Sequence, residues 1–381
     1  MISSVSMGVV GDISFKGRHQ DNPSKKLFSN VIPIFNKSDL LIANLECPLI
    51  HSFYSKPMEN KCTLRGNPGW AEILRDSGVN ILSLANNHIM DFGEDGLYST
   101  IDALEKNKII HLGAGKNIDQ ACAPVFINKS DLKLALLARS SVIVSSPSYA
   151  DKDRAGVAFF NLDETVTKVK FCKENADFVI LLMHWGLENY LYPSPKQRDL
   201  ANILISNGID IIIGHHPHVI QGIEWIKDKP VIYSLGNFLF DEFTWEYEHS
   251  NGVRKKNYSR LSSDNREGII ANFTLNKNDR ITFSSKYTRI DYQGIILLNQ
   301  NPSCHSQLDK ISRRLKVPFY SLIWKLYSVR MEWSLRFKER FSPKKIMSNL
   351  SRIRFHHIKE ILVLIKKSIG IASEKTTNPY E

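Results

Sequence analysis

The 381-residue sequence predicts an α/β protein in which strands and helices alternate and polar residues collect where the strands end. Three observations carry that prediction. Short runs rich in leucine and β-branched residues recur along the first two thirds of the chain, each followed at once by a polar cluster. Segments opened by proline and closed by glycine, with an apolar period of about 3.6 residues, lie between them. From Gly268 onward the pattern changes to alternation with period two.

The elements follow in order. Val5–Val10 leads into Gly11-Asp12, and the run DLLIAN (39–44) leads into Leu45-Glu46. Asn67-Pro68 supplies an N-cap with proline at the first helical position, and Ser77-Gly78 stops that helix. Val79–Leu84 ends in Asn86-Asn87-His88, after which Asp91-Phe92-Gly93 reads as the opening of the next helix. Phe178–Met183 ends in His184-Trp185-Gly186. Ser194-Pro195 starts a second helix in which Leu200, Ile203 and Leu204 keep the helical period up to Gly208. Ile209–Ile213 ends in Gly214-His215-His216-Pro217-His218, and Val231–Leu235 ends in Gly236-Asn237. The charged stretch 245–267 reads as a surface excursion or lid rather than core. GIIANFTL and RITFSSKYTRI then read as late antiparallel strands. In such layered folds ligands bind at the carboxyl ends of the strands.

Composition narrows the function classes. A hydrophobic fraction of 43% with 23% charged residues is that of a soluble globular chain, which excludes disordered, collagenous and disulfide-scaffold proteins. The length suggests about two units. Five cysteines (Cys47, Cys62, Cys122, Cys172, Cys304) show no C-x-x-C spacing, so neither a zinc ribbon nor a disulfide framework is indicated, and a reducing compartment is expected. No window approaches the ~18 uncharged apolar residues of a membrane span, and the opening MISSVSMGVVGDISF runs into the first strand without a signal-peptide pattern.

The formal charge of +11 is localised. Residues 305–381 hold 17 Lys and Arg against 6 Asp and Glu, which leaves 33 of each sign in the rest. The chain therefore divides into a balanced body, 1–303, and a basic amphipathic helical extension, 304–381. In the extension Leu322, Leu326, Trp333 and Phe337 fall near one helical face, as do Ile358, Ile361, Leu362 and Ile365, with Lys and Arg opposite. Two readings stand: a solvated helix pair docked on the body, or peripheral contact with an anionic membrane or acidic polymer. No recognised nucleic-acid-binding motif accompanies the charge, so a specific nucleic-acid partner is not expected.

The chemistry concentrates at strand ends. His88, His184, His215, His216 and His218, with Asp12, Glu46, Asn87 and Asp91, form a hard-oxygen and imidazole set suited to two divalent ions such as Mn²⁺, Zn²⁺ or Fe²⁺. Singly, each has a plainer reading: His184 as a core histidine, Asp12 and Asn86-Asn87 as turn residues. Together, at successive strand exits, they point to a metal site. His215, Glu188, Asn237 and Asp241 stand open between groups that orient the ligands and ordinary loop residues.

Six ordered blocks, GDISF (11–15), NLECPL (44–49), ANNHIMDFG (85–93), MHWGLE (183–188), GHHPHVIQ (214–221) and YSLGNFLFD (233–241), resemble the CapA family, named for poly-γ-glutamate capsule synthesis. That family is similar to the calcineurin-like metallophosphoesterases, and the resemblance covers Val5 to Ile290. It implies a four-layer αββα sandwich of the metallo-dependent phosphatase type. It also implies Asp12 and His218 at a first metal, Asn87, His184 and His216 at a second, Glu46 bridging both, and His88 facing the substrate beside Asp91. Ser14 stands where the D-x-H opening of the metallophosphoesterases has its histidine, which leaves the first metal short of a ligand and weakly bound. The implied function is a dinuclear hydrolase of capsule or exopolymer biosynthesis, in which hydroxide held by the ions attacks a phosphoester or an amide of an acidic polymer. A non-hydrolytic polymer-binding or export accessory protein is the alternative that Ser14 supports, and a metal-assisted, epimerase-like proton-transfer enzyme is another. Typical members resemble proteins tethered by an N-terminal membrane anchor. With no such anchor ahead of the first strand, a cytoplasmic position, peripheral at the inner membrane face, is expected.

Overall fold

The computed structural model describes residues 4–51, 62–142, 148–248, 254–277 and 281–340. Within them the chain first lays down β1 (Ser4–Ile13), α1 (Ile32–Phe35), β2 (Leu40–Leu45), α2 (Trp70–Asp76), β3 (Ile81–Ser83), α3 (Gly93–Lys106) and β4 (Ile110–Leu112). A small antiparallel pair, β5 (Ala114–Gly115) with β8 (Gly156–Val157), and the turn of helix α4 (Ile118–Ala121) make the crossing to a second sheet. That sheet collects β6 (Val125–Lys129), β7 (Leu132–Ser140), β9 (Phe178–His184), β10 (Ile211–His215), β11 (Ile223–Ile226) and β12 (Lys229–Ile232), with α5 (Leu162–Asn175) and α6 (Pro195–Ser206) between its parallel strands. The chain then returns to the first sheet. β13 (Asn237–Leu239) pairs parallel with β1, a hairpin of β14 (Phe243–Glu248) and β15 (Arg254–Ser259) projects, and β16 (Glu267–Asn276), β17 (Thr282–Ile290) and β18 (Ile296–Asn299) add antiparallel strands. Helices α7 (Pro302–Arg314) and α8 (Tyr320–Arg340) follow.

The sheet orders are β18-β17-β16-β1-β2-β3-β4 and β11-β12-β10-β9-β7-β6. Strand alternation shows how the layers stack. Leu134, Leu136, Ile180, Leu182, Ile211 and Ile213 share one core with the first sheet, together with Trp70 and Leu74 of α2 and Leu97 and Leu104 of α3. Their neighbours Ala135, Leu137, Val179, Leu181, Met183 and Ile212 point the other way, onto Val169 and Cys172 of α5 and Ala201, Leu204 and Ile205 of α6. The protein is thus the four-layer αββα sandwich that the resemblance implied. Strands buried on both faces read as continuous apolar runs, which is why FVILLM and IDIIIG stand out in the sequence. No helix among the described residues is long and apolar enough to cross a membrane.

Several local expectations need correction. The Asn67-Pro68 helix starts later, at Trp70, because the Asn67 Oδ1 accepts a hydrogen bond from Gly69 N (2.9 Å) and makes a turn instead of a cap. Its glycine stop is as expected: Gly78 adopts φ +104° and Val79 N donates to Leu74 O at 3.0 Å. Ser194 caps α6 with a full capping box through Gln197. The stretch 245–267 is not wholly a surface excursion. It begins in the β14–β15 hairpin and ends with Asn265 and Arg266 buried, the guanidinium held by Glu242 at 2.8 Å and by Asp291 O at 3.0 Å. In the extension, the face that α8 turns to the body is not the one that carries Leu322, Leu326 and Trp333. α8 packs through Tyr320, Trp324, Tyr327 and Ser328, whereas Leu322, Leu326 and Trp333 are exposed. The aromatics win the inward face because each ties a polar tip to the loop 191–193: Leu191 N donates to Tyr327 Oη, Trp324 Nε1 donates to Tyr192 O and Tyr320 Oη donates to Pro193 O. The face formed by Ile358, Ile361, Leu362 and Ile365 lies outside the described residues, as does the side chain of Phe337.

Candidate metal centre

The site forms where the carboxyl ends of β1, β2, β9 and β10 meet. Asp12 lies inside β1, paired with Asn44 of β2 and Asn237 of β13, and is fully buried. Its Oδ1 accepts from Asn44 Nδ2 at 2.8 Å and its Oδ2 accepts from His216 N at 3.1 Å. Glu46 follows β2 directly, its backbone N held by Ile13 O at 2.8 Å, and is likewise buried. One Glu46 oxygen lies 3.7 Å from His184 Nε2 and 3.5 Å from His218 Nε2. His184 ends β9, with Nε2 2.7 Å from Asn87 Oδ1.

The turn after β10 does the rest. His216 and His218 take φ values of +95° and +57° on either side of Pro217, a costly conformation for residues with a Cβ. That geometry turns both rings inward: His216 lies tilted against His184 with 4.8 Å between ring centres, and His218 Nδ1 lies 3.5 Å from Asp12 Oδ2. Two donor triads result, Asp12/Glu46/His184 and Glu46/His216/His218, each with its atoms within 4.8 Å of one another. Glu46 belongs to both. At the edge, His88 places Nδ1 2.8 Å from Asp91 Oδ2, and that carboxylate also accepts Leu64 N at 2.6 Å.

The groups around this set divide cleanly. Asn237 orients His218, its Oδ1 2.9 Å from Nδ1, and is itself fixed by donating to Asn265 O. Asn265 in turn donates to His218 O and to Asn189 Oδ1. His215 turns away to Val10 O at 3.3 Å, and Asp241 clasps Arg18 at 2.8 Å. Glu188 lies on the 186–189 loop, which Asn189 N ties to Pro217 O. Enclosure pushes its carboxyl up, but the imidazoles of His216, His218 and His88 outweigh that and hold it below the usual carboxylate range. Ser14 is buried and bonded to the Cys47 thiol, which burial pushes up to about 12, so the thiol stays protonated and offers no thiolate in place of the missing histidine.

The residues present fit divalent metal. Burial drives His184 well below its ordinary value and His216 down to about 4, so both rings are neutral with lone pairs to give. His216 Nδ1 is buried and makes no hydrogen bond. Two carboxylates, neutral imidazoles and an amide oxygen are a donor set for Mn²⁺, Zn²⁺ or Fe²⁺.

The same shifts set a pH dependence. Both rings are neutral in the fold and take up protons on unfolding, so the unfolded state binds more protons between about 6.5 and 4. Stability of metal-free protein is therefore full above about pH 6.5 and is lost as pH falls toward 4, by on the order of 3 kcal/mol from His216 alone. Thermal denaturation in chelator across that range checks this. A melting temperature that does not fall would contradict the buried neutral rings.

Residues 6–242 match the model of a protein family described as bacterial capsule synthesis protein PGA_cap. The chain belongs to that family. Among PGA_cap relatives, the capsule biosynthesis protein CapA of Bacillus anthracis is 33% identical over 62% of this chain and 60% of its own length. The PGA biosynthesis protein CapA of Bacillus subtilis is 32% identical over 62% and 64%. The match thus spans under two thirds of the length of these relatives. Among solved structures, a phosphatase from Mycoplasma pneumoniae aligns with a TM-score of 0.46 at 13% identity, covering 80% of this chain and 98% of that one. The six PGA_cap blocks all border the site, but Asn44, Asn189 and Asn265 were not singled out from sequence. Asn44 carried a signal, a polar side chain ending an apolar strand run. Asn265 carried none, being one polar residue in a polar stretch.

Proposed function

We propose that this PGA_cap protein is a metal-dependent hydrolase of capsule or exopolymer synthesis, using two divalent ions to open a phosphoester or an amide of an acidic polymer. The observation that carries the reading is the position of Glu46, common to both donor triads. The names of the Bacillus relatives support the polymer context. The resemblance would place Asp12 and His218 at one ion, Asn87, His184 and His216 at the other and Glu46 at both, whereas the donor triads group Asp12 with His184 and His216 with His218. Such a pair, when bound, activates water and neutralises charge at the attacked centre.

The chain's own residues supply orientation and protons. Asp91 accepts a hydrogen bond from the His88 Nδ1–H, which fixes the ring, and the doubly protonated ring would hand its Nε2 proton to the leaving group. Asn237 Oδ1 accepts a hydrogen bond from His218 Nδ1–H, so Nε2 faces Glu46. The test is elemental analysis of purified protein beside turnover of a phosphodiester and a γ-linked oligoglutamate. Two ions per chain, with turnover reduced about 10²- to 10⁴-fold in His88→Ala at unchanged metal content, is the expected result.

The buried Ser14 favours a second reading, an accessory protein that binds or exports polymer without cutting it. One ion or none, and no turnover of either substrate, would establish that reading in place of the first.

A further inference from the structure

We propose that the outward stripe of α8 is a docking surface for an anionic lipid bilayer. Phe319, just ahead of the helix, and Leu322, Ile323, Leu326 and Trp333 on it are 82%, 59%, 46%, 66% and 36% exposed. Spacings of three, four and seven residues put all five on one side of the helix, with Arg330 among them. The stripe is not a consequence of a loosely placed helix. The opposite side is held by Tyr320, Trp324 and Tyr327 to the backbone of residues 191–193, and Arg198 stacks on the Tyr320 ring at 4.6 Å. Rotation to bury the leucines would break these bonds. A contiguous apolar strip of this kind on a fixed helix marks an interaction surface.

Charge selects the occupant. Lys316, Lys325 and Arg330 are exposed around the stripe, and Arg313 lies at the end of the preceding α7. Residues 305–381 carry the whole +11 excess, while the body is neutral. A second copy of the chain would set basic surface against basic surface, and residues 341–381 are themselves net positive. A free acidic polymer or nucleic acid would answer the charge but leave the leucines and Phe319 in water. An anionic bilayer answers both, taking the apolar side chains into the headgroup boundary and the lysines and arginines onto its phosphates.

The experiment is co-sedimentation of the full chain with phosphatidylglycerol–phosphatidylcholine vesicles, against phosphatidylcholine alone, at low and high salt. Expected are binding to the anionic vesicles only, weakening as salt rises, and at least about a tenfold loss of bound fraction in Leu322→Asp/Leu326→Asp. Neither leucine packs on the core, so the double variant keeps the wild-type melting temperature and metal content. Absence of vesicle binding by the wild type would overturn the proposal, as would a variant that binds equally well. It would also be overturned by light scattering showing a wild-type dimer that the variant abolishes, or by stripe-dependent binding to polyglutamate in place of vesicles. None of these outcomes touches the metal centre, so the proposal stands or falls apart from the proposed hydrolase.

Discussion

Glu46→Gln is expected to take bound manganese from two ions per chain to at most one and to weaken the remaining site by about 100-fold or more, the upper end of what even an indirect ligand contact controls. The glutamine keeps the volume and one carbonyl oxygen but loses the negative charge that would offset the repulsion between two dications. The effect has a second, independent readout. A carboxylate as deeply buried as Glu46 is costly to keep ionised, and bound cation offsets that cost. Metal should therefore raise the wild-type melting temperature with concentration, following the ligand-linkage relation. In the glutamine variant the metal-free protein should be no less stable than metal-free wild type, and the metal-dependent rise should largely vanish. Retention of both ions at wild-type affinity would remove Glu46 from its shared position.

Gly11→Ala should be among the most damaging single-methyl additions in the body. A Cβ there would lie 1.9 Å from Gly236 O and 2.9 Å from Gly236 C, both backbone atoms that no side-chain rotation can move. Gly236 cannot retreat freely, since it adopts φ +72° and a Cβ built on it would itself lie 2.5 Å from Glu267 O. The methyl must push β1 from the 236–237 segment, breaking the Asp12 N to Gly236 O bond of 3.1 Å and displacing the Asp12 carboxylate. Loss of at least about 3 kcal/mol is expected, read as a drop of roughly 6–12 °C in melting temperature, together with weakened metal uptake. Gly93→Ala is the control. It also has positive φ, +61°, but nothing lies within 4 Å of the added methyl, so only the backbone preference of about 1–2 kcal/mol is lost. Equal melting temperatures for the two variants would refute the close-approach argument.

Much of the fold was legible because its strands are buried on both sides. A strand with a solvated face would alternate and resemble many loops, whereas FVILLM and IDIIIG cannot be placed anywhere but in a covered sheet. The hairpin of β6 and β7 and the helices α3 and α5 were less visible. VFINK and LKLALLARS mix polar and apolar residues at an edge of the second sheet, and α5 carries lysines and glutamates over most of its surface. On α8 the apolar stripe was visible in the sequence, but not which face meets the body. Its leucines marked the face that periodicity favours, but the aromatics have both apolar area and hydrogen-bonding tips, and the carbonyls of Tyr192 and Pro193 were waiting for them.

The amino-acid order by itself determined the donor inventory and its placement at strand ends: Asp12, Glu46, Asn87, His184, His216 and His218 with His88 and Asp91 at the rim. Strand termination is a local event, and the polar residue that ends an apolar run is visible without knowing the partner strand. Which donors meet was decided only by the tertiary structure. His215 and His216 are adjacent, yet one faces Val10 O and the other faces His184, because left-handed φ at His216 reverses the direction of the ring. Asp241 went to Arg18, and Asn265 came from a charged stretch to brace His218. Such choices depend on strand register and on contacts between residues some two hundred positions apart, for which a local pattern holds no information.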